Sequence, residues 1–234
     1  YHHQGSTGRM KEKIIQGGIV NGEKMLVCPT WEDEFQKAIH KTGGCFRISM
    51  DYSAVDVSWW KELEKIADPD DRPIRQFILR SKVLLGKIEN GQIVPYTNDE
   101  KLDMLFEAIR LTSPNFDIDA ICDGLYSVDE VKVINQIALI YSQLEQREKV
   151  IDIYRQLLAY VENHFQNTGQ FGSLFSLVAF NYARELDLVG RYTEAIEIAE
   201  IGWKACVQHK QYRMLPSIIA AIAECYHFLN QDEK

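Results

Sequence analysis

Side chains able to recognise a ligand recur along this chain on segments of helical pattern, and their types set the chemistry. Amides at Gln76, Asn135, Gln143 and Asn181, together with Arg80, Arg184, Glu224 and His227, lie off the apolar stripes of their segments. A side-chain amide offers donors and an acceptor, which matches the alternating N–H and C=O groups of an extended backbone. An arginine can hold a carboxylate through two parallel bonds. Asn135 is the most pointed of these positions. It sits in mid-helix, where asparagine is unfavourable by propensity, and directly adjoins apolar Ile134.

Reaction chemistry has no comparable support. The chain holds no G-x-S-x-G, G-x-x-x-x-G-K-[ST], G-x-G-x-x-G or H-E-x-x-H. His40, His164, His209 and His227 are isolated, and Asp70/Asp71 and Asp117/Asp119 fall in turn compositions that read as caps or solvated charge. The five cysteines, Cys28, Cys45, Cys122, Cys206 and Cys225, are scattered with no C-x-x-C among them. A disulfide framework and a thiolate zinc site are therefore disfavoured, and a reducing cytoplasm is the expected compartment. Cys206 and Cys225 sit in apolar helical patterns and read as small core residues. The expectation is a binding chain with no cofactor or metal, and not an enzyme.

The elements that must position these side chains are helices. Between Val131 and Leu144 the apolar residues Val131, Ile134, Ile137, Ala138, Tyr141 and Leu144 recur at steps of three and four, the period of one helix face. Ser127 with Glu130 forms a capping box ahead of it, and Thr97 with Glu100 does the same before Leu102 to Leu111. Pro73, Pro114 and Pro216 fall at expected helix starts or breaks. Strand alternation is not convincing after residue 50, and Asn90-Gly91 through Pro95 reads as a loop. The class is all-α. Residues 1–30, broken by Gly17-Gly18, Gly22 and Pro29, read as linker with a tag remnant at Tyr1 to Ser6, which also accounts for His2-His3. Residues 31–234 read as one helical domain.

Within that domain a frame repeats. Leu188 to Glu197 carries a Gly-x-Tyr-x-x-Ala core at Gly190, Tyr192 and Ala195: a glycine closing one helix, then an aromatic and a small residue opening the next. This is the core of a tetratricopeptide repeat. Ile134, Ile137, Ala138 and Tyr141 fit a first helix (A) of such a hairpin, and Val150, Tyr154 and Leu157 its second (B). Glu145 stands where the turn glycine belongs, which predicts a longer or differently capped turn. Ile219, Ile222, Ala223 and Tyr226 repeat the helix A pattern, with Asn230 at the turn. Leu102, Phe106, Ile109 and Pro114 fit an earlier helix B, and Asp51, Tyr52, Val55 and Trp59 the start of another hairpin. About five degenerate hairpins are expected, the last incomplete, in a right-handed superhelix with helices A lining a concave groove. The frame positions 145, 190 and 230 are more widely spaced than the ~34 residues of the standard repeat. Adjacent Trp59 and Trp60 diverge by about 100° on a helix, so one of them is expected at an interface. Trp203 is expected in the core.

Composition narrows the partners. The chain has 234 residues and a formal charge of −8, with no Lys/Arg block, so it is a poor candidate for gripping a phosphate backbone itself. No run approaches the ~18 apolar residues that a membrane span needs.

Four stretches carry a family resemblance: Arg75 to Arg80, Glu107 to Asp117, Val133 to Tyr141 and the Gly190 to Ala195 motif. They resemble the C-terminal region of Firmicutes Xre-type helix-turn-helix regulators related to the Rgg/PlcR group. The resemblance covers roughly residues 31–234. It implies a regulatory domain that forms a homodimer and captures a short signalling peptide in its concave groove; the eight polar residues above, chosen by type and by their place off the core stripes, are the candidates for lining that groove. It also implies that DNA is reached only through a helix-turn-helix domain, which residues 1–30 are too short to supply. A constitutive tetratricopeptide interaction scaffold is the alternative.

Overall fold

The computed structural model describes residues 67–68, 70–89 and 92–232. The chain divides into two compact units, Tyr1–Tyr96 and Thr97–Lys234. The expected boundary at residue 30, the hairpin beginning near Asp51, and Trp59 and Trp60 lie outside the described residues.

In the first unit, helix α1 spans Arg72–Leu85. Asp71 caps it, its side chain accepting the Ile74 N–H at 3.1 Å, and Pro73 occupies the first turn, where its missing N–H has no partner to lose. Gly86 ends it at φ 88°, and its N–H donates to the Lys82 carbonyl. The following stretch corrects the loop expected there. Strands β1 (Lys87–Glu89) and β2 (Gln92–Val94) pair antiparallel, with Lys87 opposite Val94. Asn90-Gly91, between them, is the composition that two-residue hairpins favour. Three residues per strand are too few for period-two alternation to stand out.

The second unit holds six helices: α2 (Asn98–Thr112), α3 (Val128–Gln143), α4 (Arg147–Phe165), α5 (Phe171–Leu188), α6 (Tyr192–Gln208) and α7 (Leu215–Asp232). Apart from the short hairpin and one 3-10 turn (Ile121–Asp123), the described elements are α-helices, and the fold is all-α. Each helix from α2 to α7 packs against its neighbour in sequence; α3 also touches α5, and α5 touches α7. That is the contact pattern of stacked helical hairpins, with α3, α5 and α7 as helices A and α2, α4 and α6 as helices B. Helices A start 43 residues apart (128 to 171) and then 44 (171 to 215). The long repeat comes from helices of 16 to 19 residues rather than from irregular insertions.

Both capping boxes form. Thr97 and Glu100 exchange bonds of 2.7 and 3.2 Å, and Ser127 and Glu130 bonds of 2.7 and 3.3 Å. Glu130 does more than cap. It is buried and also accepts the hydroxyls of Thr112 (2.7 Å) and Ser113 (2.6 Å), tying the end of α2 to the start of α3. Burial alone would raise its pKa. The bonds from Ser113, the Ser127 backbone and Thr112 outweigh that and hold the carboxyl below its ordinary range. A depressed pKa gives stability that is present above the unfolded-state value and lost as pH falls through the folded one. Glu130→Gln should therefore cost stability near neutral pH, and its deficit relative to the parent should shrink on acidification below the ordinary glutamate range. Urea unfolding of both proteins across that range checks this.

The turn at Glu145 departs from expectation. It is neither longer nor differently capped. At three helix ends the same pair of backbone bonds closes the helix: Gln146 to Tyr141 and Glu145 to Ser142, Arg191 to Leu186 and Gly190 to Asp187, Gln211 to Cys206 and Lys210 to Val207. This is the Schellman arrangement, which needs a left-handed residue. Gly190 adopts φ 77° without strain, whereas Glu145 (59°) and Lys210 (55°) do so against their β-carbons. Glu145→Gly should accordingly stabilise the fold by about 0.5–1 kcal/mol, and Gly190→Ala should destabilise it by about 1 kcal/mol. Denaturant midpoints at unchanged m-value read both.

The core follows the helix A and B assignments at Ile134, Ile137, Ala138 and Tyr141 and at Val150, Tyr154 and Leu157, all buried. Cys206 and Cys225 are buried too. Burial, the charge of Asp187 and an S–H bond to it (3.5 Å) push the Cys225 thiol up to about 12, so it is inert packing. Three expectations fail. Trp203 is 44% exposed on α6, although Ile196 and Ala199 on the same side of that helix are buried. Asn230 closes no turn, since α7 continues to Asp232. Ile219 and Tyr226 are each 49% exposed, and α7 instead buries Ile218, Ala221 and Cys225.

Candidate functional site

Helices α3 and α5 are consecutive helices A, and their contact carries polar bonds. Asn181 Nδ2 donates to Asn135 Oδ1 at 2.8 Å, with both side chains buried. Each asparagine uses one polar atom in this bond. Among the described residues, the Asn135 amide N–H groups and the Asn181 carbonyl oxygen make no hydrogen bond to protein. A buried amide pair with donor and acceptor uncommitted is chemically ready for a peptide unit.

A second polar cluster lies toward the C-terminal ends of the same two helices. Glu185, one turn beyond Asn181 on α5, is 4% exposed. Its carboxylate accepts the Ser142 hydroxyl at 2.6 Å and an Arg147 N–H at 3.0 Å, and Arg147 also donates to Ser142 Oγ at 2.8 Å. The cluster therefore joins the α3–α4 turn to α5. Nearby, Tyr154 Oη is wholly buried with no partner. Burial, reinforced by the Glu185 charge, pushes its phenol well above the ordinary range. Gln136 Oε1, adjoining Asn135, is likewise buried without a partner.

The other expected site residues fall as follows. Gln143 is exposed at the end of α3. Arg184 is exposed on α5, its guanidinium 5.9 Å from the Phe180 ring centre. Glu224 and His227 are exposed on α7, with the His227 ring 5.7 Å from that of Phe228. Gln76 and Arg80 are buried on α1, in the first unit. The structure thus brings Asn135 and Asn181 together and sets Arg184 one turn from Asn181. Glu185, Ser142 and Arg147 did not stand out in the sequence. The available signal was an acid at the i+4 position from an asparagine, flanked by the apolar pair Tyr182 and Leu186. Among the described residues no His/Cys/Asp/Glu group could hold a metal ion, and no helix is long and apolar enough to cross a membrane.

This stacked-hairpin array coincides with a known family. The model for the RNPP family C-terminal domain matches residues 72–234. The chain belongs to that family. No curated protein matches it. Two solved structures resemble this RNPP C-terminal domain at low identity. One, from Podosopora anserina, is described as a kinesin light chain with nearly identical TPR-like repeats. It has 14% identity and a TM-score of 0.46, over 100% of this chain and 91% of that one. The other is Bacillus thuringiensis PlcR in its apo form, with 17% identity and a TM-score of 0.42, over 97% of this chain and 86% of that one. In this RNPP domain the family match takes in all eight expected polar residues and both bonded asparagines.

Proposed function

We propose that this chain is the dimerising, peptide-sensing regulatory domain of a bacterial transcriptional regulator, acting on DNA only through a separate helix-turn-helix domain. The observation that carries the reading is the Asn135–Asn181 bond between neighbouring helices A, inside the span of the RNPP family match. An extended peptide laid across these helices would present its backbone to the free N–H groups of Asn135 and the free carbonyl of Asn181. Arg184, exposed one turn away, is suited to hold an acidic side chain or a terminal carboxylate. The role is recognition, with Gln143, Glu224 and His227 as exposed contacts that would distinguish one peptide from another. Gln76 and Arg80 are proposed with them on the strength of residue type alone.

Thermal unfolding against a panel of short synthetic peptides tests this. A ligand that binds only the folded state raises stability by RT ln(1 + [L]/Kd), about 2.7 kcal/mol at a hundredfold excess over Kd. One peptide class should raise the midpoint, and Asn135→Ala and Asn181→Ala should each abolish the rise. A chain indifferent to every peptide but holding a stable protein partner would favour the constitutive scaffold.

A further inference from the structure

Helices α3 and α5 each keep one narrow flank open. Between Val131 and Ile140 of α3 every residue is buried except Lys132, Gln136 and Leu139, at steps of four and three. Between Leu174 and Leu186 of α5 the exceptions are Leu177, Phe180 and Arg184, at steps of three and four. The two helices run parallel at their seam, since Asn135 bonds Asn181 and, further along both, Ser142 bonds Glu185. Viewed from their N-terminal ends, Gln136 is turned about 100° clockwise from Asn135, and Phe180 about 100° anticlockwise from Asn181. Because the two asparagines point at each other, these opposite turns bring Gln136 and Phe180 to the same side of the seam. Arg184, one turn beyond Phe180 and 5.9 Å from its ring centre, lies on that side as well.

Gln136 is the one uncharged polar side chain among these six residues. Its Oε1 is buried with no hydrogen-bond partner, although the residue as a whole is part-exposed. A buried acceptor without a donor carries a free-energy cost that a suitable donor removes. The terminal torsion of a glutamine is broad, so the amide can turn outward without breaking a bond. Lys132, one turn earlier, is already engaged with Asp129 at 3.5 Å. We propose that Gln136 is a further ligand contact, whose Oε1 turns out from α3 to accept a backbone N–H of the peptide held by Asn135, Asn181 and Arg184. Helix α3 then offers two neighbouring amides, Asn135 donating and Gln136 accepting, which match the alternating C=O and N–H groups of an extended backbone. The ligand this selects has a secondary amide at that place; a proline there has no N–H to give. The inference rests on the peptide reading of the asparagine pair.

The probe is the short synthetic peptide that raises the thermal midpoint of the full chain most, with analogues N-methylated at one backbone nitrogen at a time. In titration calorimetry, Gln136→Met should bind the unmodified peptide about three- to tenfold more weakly, the worth of one hydrogen bond. One N-methylated analogue should bind the parent chain more weakly by a similar factor and lose nothing further in Gln136→Met. Stability should not follow affinity. Gln136→Met exchanges an unpaired buried acceptor for an apolar group of similar length, so the urea midpoint of the free chain should equal or exceed the parent's. Tyr154→Phe is the control: it removes the other unpaired oxygen, which is wholly buried, and should leave the peptide affinity unchanged. A Gln136→Met chain that is less stable yet binds as the parent does would make the amide structural and overturn the proposal. So would an equal loss of affinity in Tyr154→Phe, or N-methyl losses that persist undiminished in Gln136→Met. If no peptide stabilises the parent chain, the peptide reading itself falls and this inference with it. A peptide that binds the parent and Gln136→Met alike removes only Gln136 from the site.

Discussion

Replacing Glu185 by alanine should destabilise the second unit by about 2–4 kcal/mol, a drop in melting temperature on the order of 10 °C. The cause is an interrupted ion pair rather than lost apolar area. Glu185 is 4% exposed, so its charge has little water to fall back on and is held by Ser142 at 2.6 Å and Arg147 at 3.0 Å. Removing the carboxylate leaves the Arg147 guanidinium, 29% exposed, without its anion and the Ser142 hydroxyl without its acceptor. Partial exposure of the arginine places the cost below that of a fully buried pair. Glu185→Gln keeps an acceptor for Ser142 and should cost less than half as much. Thermal and urea unfolding of both variants give the comparison. If Glu185→Ala lay within ~0.5 kcal/mol of the parent, these bonds would not be what joins consecutive hairpins.

Gly172→Ala should cost about 1–3 kcal/mol, although alanine is the better helix former by about 1 kcal/mol. A β-carbon at Gly172 would lie 2.3 Å from His209 Cβ and 2.9 Å from its Cγ. His209 Cβ is fixed to the backbone at the end of α6 and cannot rotate away, so α5 and α6 would have to separate. The hairpin crossing thus depends on a missing side chain at its tightest point. A second substitution, His209→Gly, removes the obstructing carbon. The pair Gly172→Ala/His209→Gly should be more stable than the sum of the two single changes predicts, and a double-mutant cycle measures that coupling.

The sequence made some of this visible and concealed the rest for definable reasons. Helix A and B patterns at Ile134 to Tyr141 and Val150 to Leu157 were legible because both faces are packed and every third or fourth residue is apolar. The two capping boxes were legible because they are local. The turn at Glu145 was not, since a glutamate at φ 59° is imposed by the bonds that close α3 and not by its own preference. The failed burial of Ile219 and Tyr226 has a different origin. Periodicity shows that a stripe exists, whereas burial requires an element to cover it, and α7 meets its neighbours through Ile218 and Cys225 instead. At the candidate site, Asn135 stood out as a lone amide among apolar residues. Its partner Asn181 lies 46 residues away, and only the stacking of α3 on α5 brings the two together. Glu185 was hidden for the same reason. A buried acid is intelligible only beside Ser142 and Arg147, which sit 43 and 38 residues earlier.

The claim that the asparagine pair reads a peptide backbone can be tested at the atoms concerned. Side-chain amide NMR signals of Asn135 and Asn181, assigned by substituting each in turn, can be followed while a stabilising peptide is titrated. Both signals should shift together, saturating at the affinity that the thermal measurements give. A peptide that binds tightly while both amide signals stay in place would contradict the account and put the recognition site elsewhere.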